Sequence, residues 1–227
     1  MQSSTLPGFT HTYVKVNGVK ISVHTAGKGK PLLLLHGYPQ THATWGKVAP
    51  EFAKNFKCVI PDLRGYGRSD TPPTDQEHYT YSKREMAKDM VALMESFGHE
   101  SFNVIGHDRG ARVSYRMALD HPKSIERIAI IEVVPTIDMW ERFNAEMALK
   151  AYHWTFLAQP APLPENMISA DPVAYLEWTL KSWTKGGNLD VFSPVSLESY
   201  SEQFRDPEHI HALCEDYRAG ATIVQRQ

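Results

Sequence analysis

The chain has 227 residues, 42% of them hydrophobic, and a formal net charge of −2 at pH 7. That size and apolar content suit one globular domain, or one domain with an insertion, around a sizeable core. The near-neutral balance without a long basic block argues against nucleic acid as a partner. No apolar run reaches membrane-spanning length, and residues 1–9 lack the charged start and apolar core of a leader peptide, so a cytoplasmic protein without membrane association is expected. Cys58 and Cys214 lie far apart with no metal-ligand spacing. Cys58 falls inside a predicted strand and is expected to be a reduced, inert thiol.

Apolar and polar positions alternate over 12–16 and 19–25 about Asn17-Gly18, the pattern of an antiparallel hairpin at a sheet edge. Pro31 and the four leucines Leu32 to Leu35 form a continuous apolar run, as in a strand buried on both faces. It leads straight into His36-Gly37-Tyr38-Pro39, where a glycine lets backbone N–H groups face a cavity. Residues 41–53 are predicted helical, with Trp45, Val48 and Phe52 on one face. A strand over 56–60 ends in a loop from Pro61 to Ser69, in which Asp62 and Arg64 are expected to brace the loop rather than to catalyse. A helix over 81–97 closes at Gly98 as its C-cap.

Phe102 to Ile105 read as the next buried strand, followed by Gly106-His107-Asp108-Arg109-Gly110 and then helical apolar spacing to Ala118. Strand, G-x-D-x-G, helix is the layout of a nucleophile elbow, a sharp turn that exposes one reactive side chain above a parallel sheet. The flanking glycines are needed because a Cβ at either position would collide with the neighbouring strand or helix. Taken alone, the turn would also suit Asp108 as a plain N-cap. A carboxylate nucleophile suits displacement at an sp³ carbon, giving an alkyl ester that water can later cleave. Ile128 to Val134 is the following apolar strand, and its single acid, Glu132, lies near the C-terminal end, toward the site face of a parallel sheet. Alternating strands and helices up to this point predict a mostly parallel α/β sheet with right-handed crossovers.

From residue 136 the alternation stops. Helical spacing runs over 139–157, 171–185, 194–204 and 206–218, with Pro160, Pro162 and Pro164 making a stiff loop. The expected organisation is a core over 1–135, a helical cap over 136–218, and the start of a return to the core over 219–227. There is no HExxH, no paired CxxC and no G-x-G-x-x-G after a strand, so no metal and no organic cofactor is expected.

His36-Gly-Tyr-Pro-Gln40, Asp62-Leu-Arg-Gly-Tyr-Gly67, Gly106-His-Asp-Arg-Gly-Ala-Arg112 and Tyr152-His-Trp-Thr-Phe156 together resemble the haloacetate (fluoroacetate) dehalogenases of the α/β-hydrolase superfamily. The resemblance runs from about residue 8 to about residue 222. G-H-D-R-G alone is shared with epoxide hydrolases and haloalkane dehalogenases; the Arg109-x-x-Arg112 pair and the His153-Trp154 dipeptide narrow it. The resemblance implies an α/β-hydrolase fold with a helical cap and a small haloacid as substrate. Asp108 would displace halide from the α-carbon, and Arg109 and Arg112 would clamp the carboxylate, which suits two guanidiniums one helical turn apart. His153, Trp154 and Tyr217 would donate to the departing halide. The backbone N–H groups of Tyr38 and Arg109 would form an oxyanion hole. Lys150 and Trp183 would line the outer pocket. Members of the family often dimerise, so a homodimer through the cap is an open expectation.

Two departures stand out. The family's triad acid is usually Asp, where this chain has Glu132. The family's catalytic histidine lies past residue 227, so the chain is expected to stop before the final strands and that loop, and to manage at most one slow turnover before remaining esterified. Two alternatives stay open: an epoxide hydrolase using Tyr152 and Tyr217, and a non-catalytic hydrolase fold that binds small carboxylates.

Overall fold

The structure of the protein, a computed structural model, describes residues 4–222. Its centre is a six-stranded sheet made of β1 (Thr10–Val16), β2 (Val19–Ala26), β3 (Lys30–Leu35), β4 (Phe56–Pro61), β5 (Phe102–His107) and β6 (Ile125–Ile131), in the order β1-β2-β4-β3-β5-β6. β1 and β2 pair antiparallel through a turn whose Asn17 and Gly18 both have positive φ, 47° and 80°, as the expected hairpin requires. β2 also pairs antiparallel with β4. β4, β3, β5 and β6 then run parallel. This is the expected mostly parallel α/β sheet.

β3 shows why its leucines form an unbroken run. Leu33 and Leu35 pack with Met86, Met90, Val113 and Met117, which belong to α2 (Lys83–Ser96) and α3 (Arg109–Asp120). Leu32 and Leu34 face the other way, into a second cluster with Trp45, Ala49, Cys58 and Ile60. Alternate side chains point to opposite faces of a strand, so a strand covered on both faces needs apolar residues throughout. Both cysteines are free and buried.

Several predicted boundaries are corrected. The helix expected over 41–53 is a 3-10 turn, His42–Trp45, followed by the short α1 (Ala49–Phe52), which carries proline in its first turn. Pro50 lacks the N–H and crowds the carbonyl four residues back, so a helix can start around it but cannot continue into it from residue 41. The strand expected over 128–134 is shifted to 125–131 and ends where Glu132 takes a φ of 59°. Ile128, Ile130 and Ile131 are each about 40% accessible, β6 being the last strand of the sheet among the described residues. Asp62 and Arg64 both brace their loop, through separate partners. Asp62 accepts from His42 N and Arg68 N, while Arg64 pairs with Asp89 on α2.

Among the described residues no strand follows β6. The remainder is helical: α4 (Thr136–Glu141), α5 (Ala145–Lys150), α6 (Tyr152–Leu157), α7 (Leu163–Ala170), α8 (Pro172–Trp183), α9 (Pro194–Phe204) and α10 (Pro207–Thr222). The single helix expected over 139–157 is thus three, because Asn144 adopts an extended conformation and caps α5 by accepting from Met147 N. Ala219 to Thr222 still belong to α10, and the expected return to the core beyond them lies, from residue 223 on, outside the described residues. Among the described residues no helix is long and apolar enough to cross a membrane, and no group of three or more His, Cys, Asp and Glu is placed to hold a metal ion.

Candidate active site

Asp108 sits between the end of β5 and the start of α3 with φ 49° and ψ −116°. A positive φ on a residue with a Cβ is strained and persists only where packing enforces it. Three glycines provide that packing. A Cβ on Gly106 would lie 2.6 Å from Ala111 Cα, and one on Gly110 would lie 2.3 Å from the His36 carbonyl oxygen. A Cβ on Gly37 would lie 2.5 Å from Asp108 Cβ and 2.8 Å from Arg109 N. The loop after β3 is therefore pressed onto the elbow, setting the Tyr38 and Arg109 backbone beside Asp108. The N-terminal end of α3 adds its positive dipole there. Burial pushes the Asp108 carboxyl up, and the guanidiniums of Arg109 and Arg112 oppose that shift.

The two arginines are held differently. Arg112 donates through Nη1 to the Val134 carbonyl at 2.7 Å and to Thr136 Oγ1 at 3.0 Å. Its guanidinium lies 4.6 Å from the Trp154 ring. Arg109 donates to the Asp216 carboxylate through Nε at 3.0 Å and Nη2 at 2.5 Å, and to the Asp216 carbonyl at 2.8 Å. It stacks 4.2 Å from the Tyr217 ring. His153 lies between Tyr38, Tyr217 and Trp183, with ring separations of 5.8, 5.6 and 4.8 Å. Burial first, then the charges of Arg109 and Arg112, pull His153 down to about 3, so it is neutral and offers a single N–H.

A cavity of about 710 Å³ opens above the elbow, lined by Asp108, Arg112, Tyr38, His153, Trp154 and Glu132 among others, with Lys150 and Trp183 in its wall. Lys150 is exposed and pairs with Glu146 at 2.7 Å. Arg109 and Tyr217 do not line the cavity; they are packed one layer back, against Trp154 and His153. The Glu132 side chain is 81% exposed and accepts from His107 Nε2 at 3.3 Å. Among the described residues no imidazole is hydrogen-bonded to the Asp108 carboxylate.

Nine buried side-chain polar atoms lack a hydrogen-bond partner among the described residues, and five of them belong to this one site: Asp108 Oδ2, Arg109 Nη1, Arg112 Nε, His153 Nδ1 and the Tyr217 hydroxyl. An unpaired buried polar group costs about 1–3 kcal/mol, so a cluster of five marks a place shaped for something other than stability. The arrangement can hold a small anion beside an ionised carboxylate and stabilise negative charge as it develops.

Sequence reasoning missed the groups that hold the arginines. Asp216, Lys83 and Tyr66 converge behind Arg109, and Thr136, itself bonded to Tyr115, supports Arg112. The only local hint was the charge run Glu215-Asp216 and Arg218 within a helix whose neighbours are apolar.

A family model for the α/β hydrolase fold matches residues 30–219. A fluoroacetate dehalogenase from Burkholderia sp is 46% identical over 216 residues, covering 95% of this chain and 71% of that protein. A soluble epoxide hydrolase from Corynebacterium sp. (strain C12) is 34% identical over 212 residues, 93% of this chain and 72% of that protein. The solved structure of a candidate α/β hydrolase from Nostoc sp PCC 7120 superimposes with a TM-score of 0.94 at 48% identity, covering 96% of this chain and 74% of that one. With the strained elbow, the parallel sheet beneath it and the helices above, these likenesses lead to one conclusion: the chain belongs to the α/β hydrolase fold family.

Proposed function

We propose that this hydrolase removes halide from a haloacetate, a fluoroacetate-like two-carbon acid. The observation that carries this reading is the composition of the unpartnered buried cluster: one carboxylate oxygen among two guanidiniums, an imidazole and a phenol. An ionised Asp108 oxygen attacks the α-carbon, the carbon–halogen bond breaks with its electron pair leaving on halide, and an Asp108 ester of glycolate forms. Arg112, which lines the cavity, holds the substrate carboxylate through charge-assisted bonds, and Arg109 adds its positive charge from the layer behind. His153 and Trp154, in the cavity wall, stabilise the halide, with Tyr217 packed edge-on behind both rings. The backbone N–H groups of Tyr38 and Arg109 act later, on the oxyanion formed as the ester is cleaved. The reading is supported by the name of the 46% identical Burkholderia relative.

Ester cleavage needs a base to activate water. His36 accepts from Leu63 N at 3.1 Å and His107 is tied to Glu132, so neither serves Asp108 in this arrangement. Glu132 would orient a base rather than act as one.

The test is intact-protein mass after incubation with chloroacetate or fluoroacetate, with free halide measured in parallel. Halide release and a carboxymethyl adduct on the chain, both abolished by Asp108→Asn, are the expected result. Sustained halide release without an adduct would show that the base is supplied, leaving the substrate assignment intact. Neither adduct nor halide would overturn the reading.

An epoxide hydrolase is the second reading. It is favoured by the 34% identical Corynebacterium relative and by a cavity volume beyond what a two-carbon acid needs. It is disfavoured because the Tyr152 hydroxyl is engaged with Thr179 Oγ1 at 2.7 Å and neither Tyr152 nor Tyr217 lines the cavity. Diol formation from an epoxide, with no halide release from haloacetate, would install this reading instead.

A further inference from the structure

Lys83 is a buried cation that the proposed chemistry does not use. It stands in the first turn of α2, where its Nζ pairs with Asp216 Oδ1, the same oxygen that accepts from Arg109 Nη2. The other oxygen, Oδ2, accepts from Arg109 Nε at 3.0 Å and from the Tyr66 hydroxyl at 2.7 Å. Asp216 and Tyr66 are fully buried, and Lys83 and Arg109 nearly so. Four donors thus fix one carboxylate, and that carboxylate fixes two of the three guanidinium nitrogens of Arg109, leaving Nη1 as its only unpartnered edge.

The charges of this cluster do not balance. The cations Arg109, Arg112 and Lys83 share two carboxylates, Asp108 and Asp216, so the fully ionised cluster carries one positive charge in excess. A buried excess charge is costly unless something pairs it, and a monocarboxylate supplies the missing charge. If Lys83 loses its proton, the excess disappears and Asp216 keeps only Arg109 as its ionic partner.

We propose that Lys83, acting through Asp216, is a positioning residue that sets the charge and orientation of the Arg109–Arg112 clamp, so that capture of a monocarboxylate requires Lys83 to be protonated. The proposal rests on the haloacid reading of the site. The groups facing Lys83 are Asp216 from α10, Arg109 and Arg112 from α3, and Met86 Sδ on its own helix at 3.4 Å, with Tyr66 from the loop after β4 bonded to the same Asp216 carboxylate. Burial, then the charge of Arg109, lowers Lys83 to about 7 against the pull of Asp216. The proton is therefore lost within the range in which the protein can be assayed, and a bound carboxylate favours keeping it.

The experiment compares two alkylating reagents of similar size, chloroacetate and neutral chloroacetamide, by the concentration giving half-maximal rate of Asp108 adduct formation between pH 6 and pH 9. Both reagents need the ionised form of Asp108 to react, so their ratio removes that shared requirement and reads the effect of the charge by which they differ. Chloroacetate is expected to weaken about tenfold relative to chloroacetamide across that range, the scale of one charge removed at moderate distance in a protein interior. Lys83→Met is expected to show the weak ratio already at pH 6 with no further trend, and Lys83→Arg to keep the strong ratio at pH 9. A ratio that does not change with pH in the unmodified chain overturns the proposal, and that measurement stands alone should a variant fail to fold. A Lys83→Met profile matching the unmodified chain overturns it equally. Failure of both reagents to alkylate Asp108 at any pH overturns the haloacid reading, and this proposal with it; normal alkylation with a flat ratio overturns this proposal alone.

Discussion

The two sides of the cavity hold their arginines by different means. On one side α10 is buried from Ala212 through Gly220, and its Asp216 anchors Arg109 by an ion pair that Lys83 and Tyr66 complete. On the other, the chain leaving β6 is exposed, with Glu132 and Val134 reaching solvent, and Arg112 is held only by a carbonyl and a hydroxyl. Both guanidiniums are buried. The charge of Arg109 is met within the protein, whereas that of Arg112 has no ion pair among the described residues and faces the cavity. Stability should therefore concentrate on the α10 side and substrate affinity on the β6 side.

The sharpest way to break this contrast is Asp216→Ala, which strands two buried cations. Removing one member of a buried ion pair costs about 3–5 kcal/mol, so urea unfolding should show a loss of that size; a loss as small as a surface change gives would end the comparison. Next is Arg112→Met, which keeps the stem that packs on Trp154 and removes the charge. A hydrogen bond to a charged group is worth about 1.5–3 kcal/mol. Half-maximal alkylation by chloroacetate should accordingly need about 10- to 100-fold more reagent, with a much smaller change for chloroacetamide and little change in the unfolding midpoint.

A third prediction concerns acid. Burial lowers His36 to about 4 and His153 to about 3, below the unfolded value near 6.5. Under pH 6.5 the unfolded chain binds protons that these imidazoles refuse, so stability is full above 6.5 and declines as pH falls toward 4. Each contributes about 1–2 kcal/mol between pH 6.5 and 5. Carboxylates held low, such as Asp75 and Glu165 at about 2, lose their contribution only below about 4.3, so thermal unfolding at pH 7 and pH 5 isolates the histidines. A midpoint unchanged between those values would refute it. The smallest effects belong to the open side: Glu132→Gln and Ile130→Thr should each change unfolding free energy by no more than about 0.5 kcal/mol.

What could be read from the chain alone follows the range of the interactions concerned. The hairpin at Asn17-Gly18, the doubly buried β3 and the Asp108 elbow are written in neighbouring residues, because glycine spacing and apolar runs act locally. The break at Pro50 is local too and is hidden only by the apolar spacing of Trp45, Val48 and Phe52. The anchoring of Arg109 is different. Its partner stands 107 residues away and Lys83 is 133 residues from the same carboxylate, so no spacing rule joins them. Lys83, next to the N-cap Ser82, has the look of an ordinary solvated helix start.

One turn of α10 has a consequence for how the gene can vary. Within four consecutive residues, Asp216 reaches α3, Tyr217 stacks on Arg109 and His153, and Glu215 and Arg218 pair with each other while Arg218 also binds Glu165 of α7 at 2.7 Å. Each added or deleted residue turns everything downstream by about 100°. A one-residue deletion between Pro207 and Glu215 would therefore put Tyr217 where Asp216 stood and Arg218 where Tyr217 stood, breaking both sets of contacts. Substitutions in this helix can be absorbed one at a time, whereas changes of length cannot; the exposed loop from Thr184 to Ser193 has no such constraint. Length variation among functional descendants of this chain should therefore gather in that loop and be missing from α10.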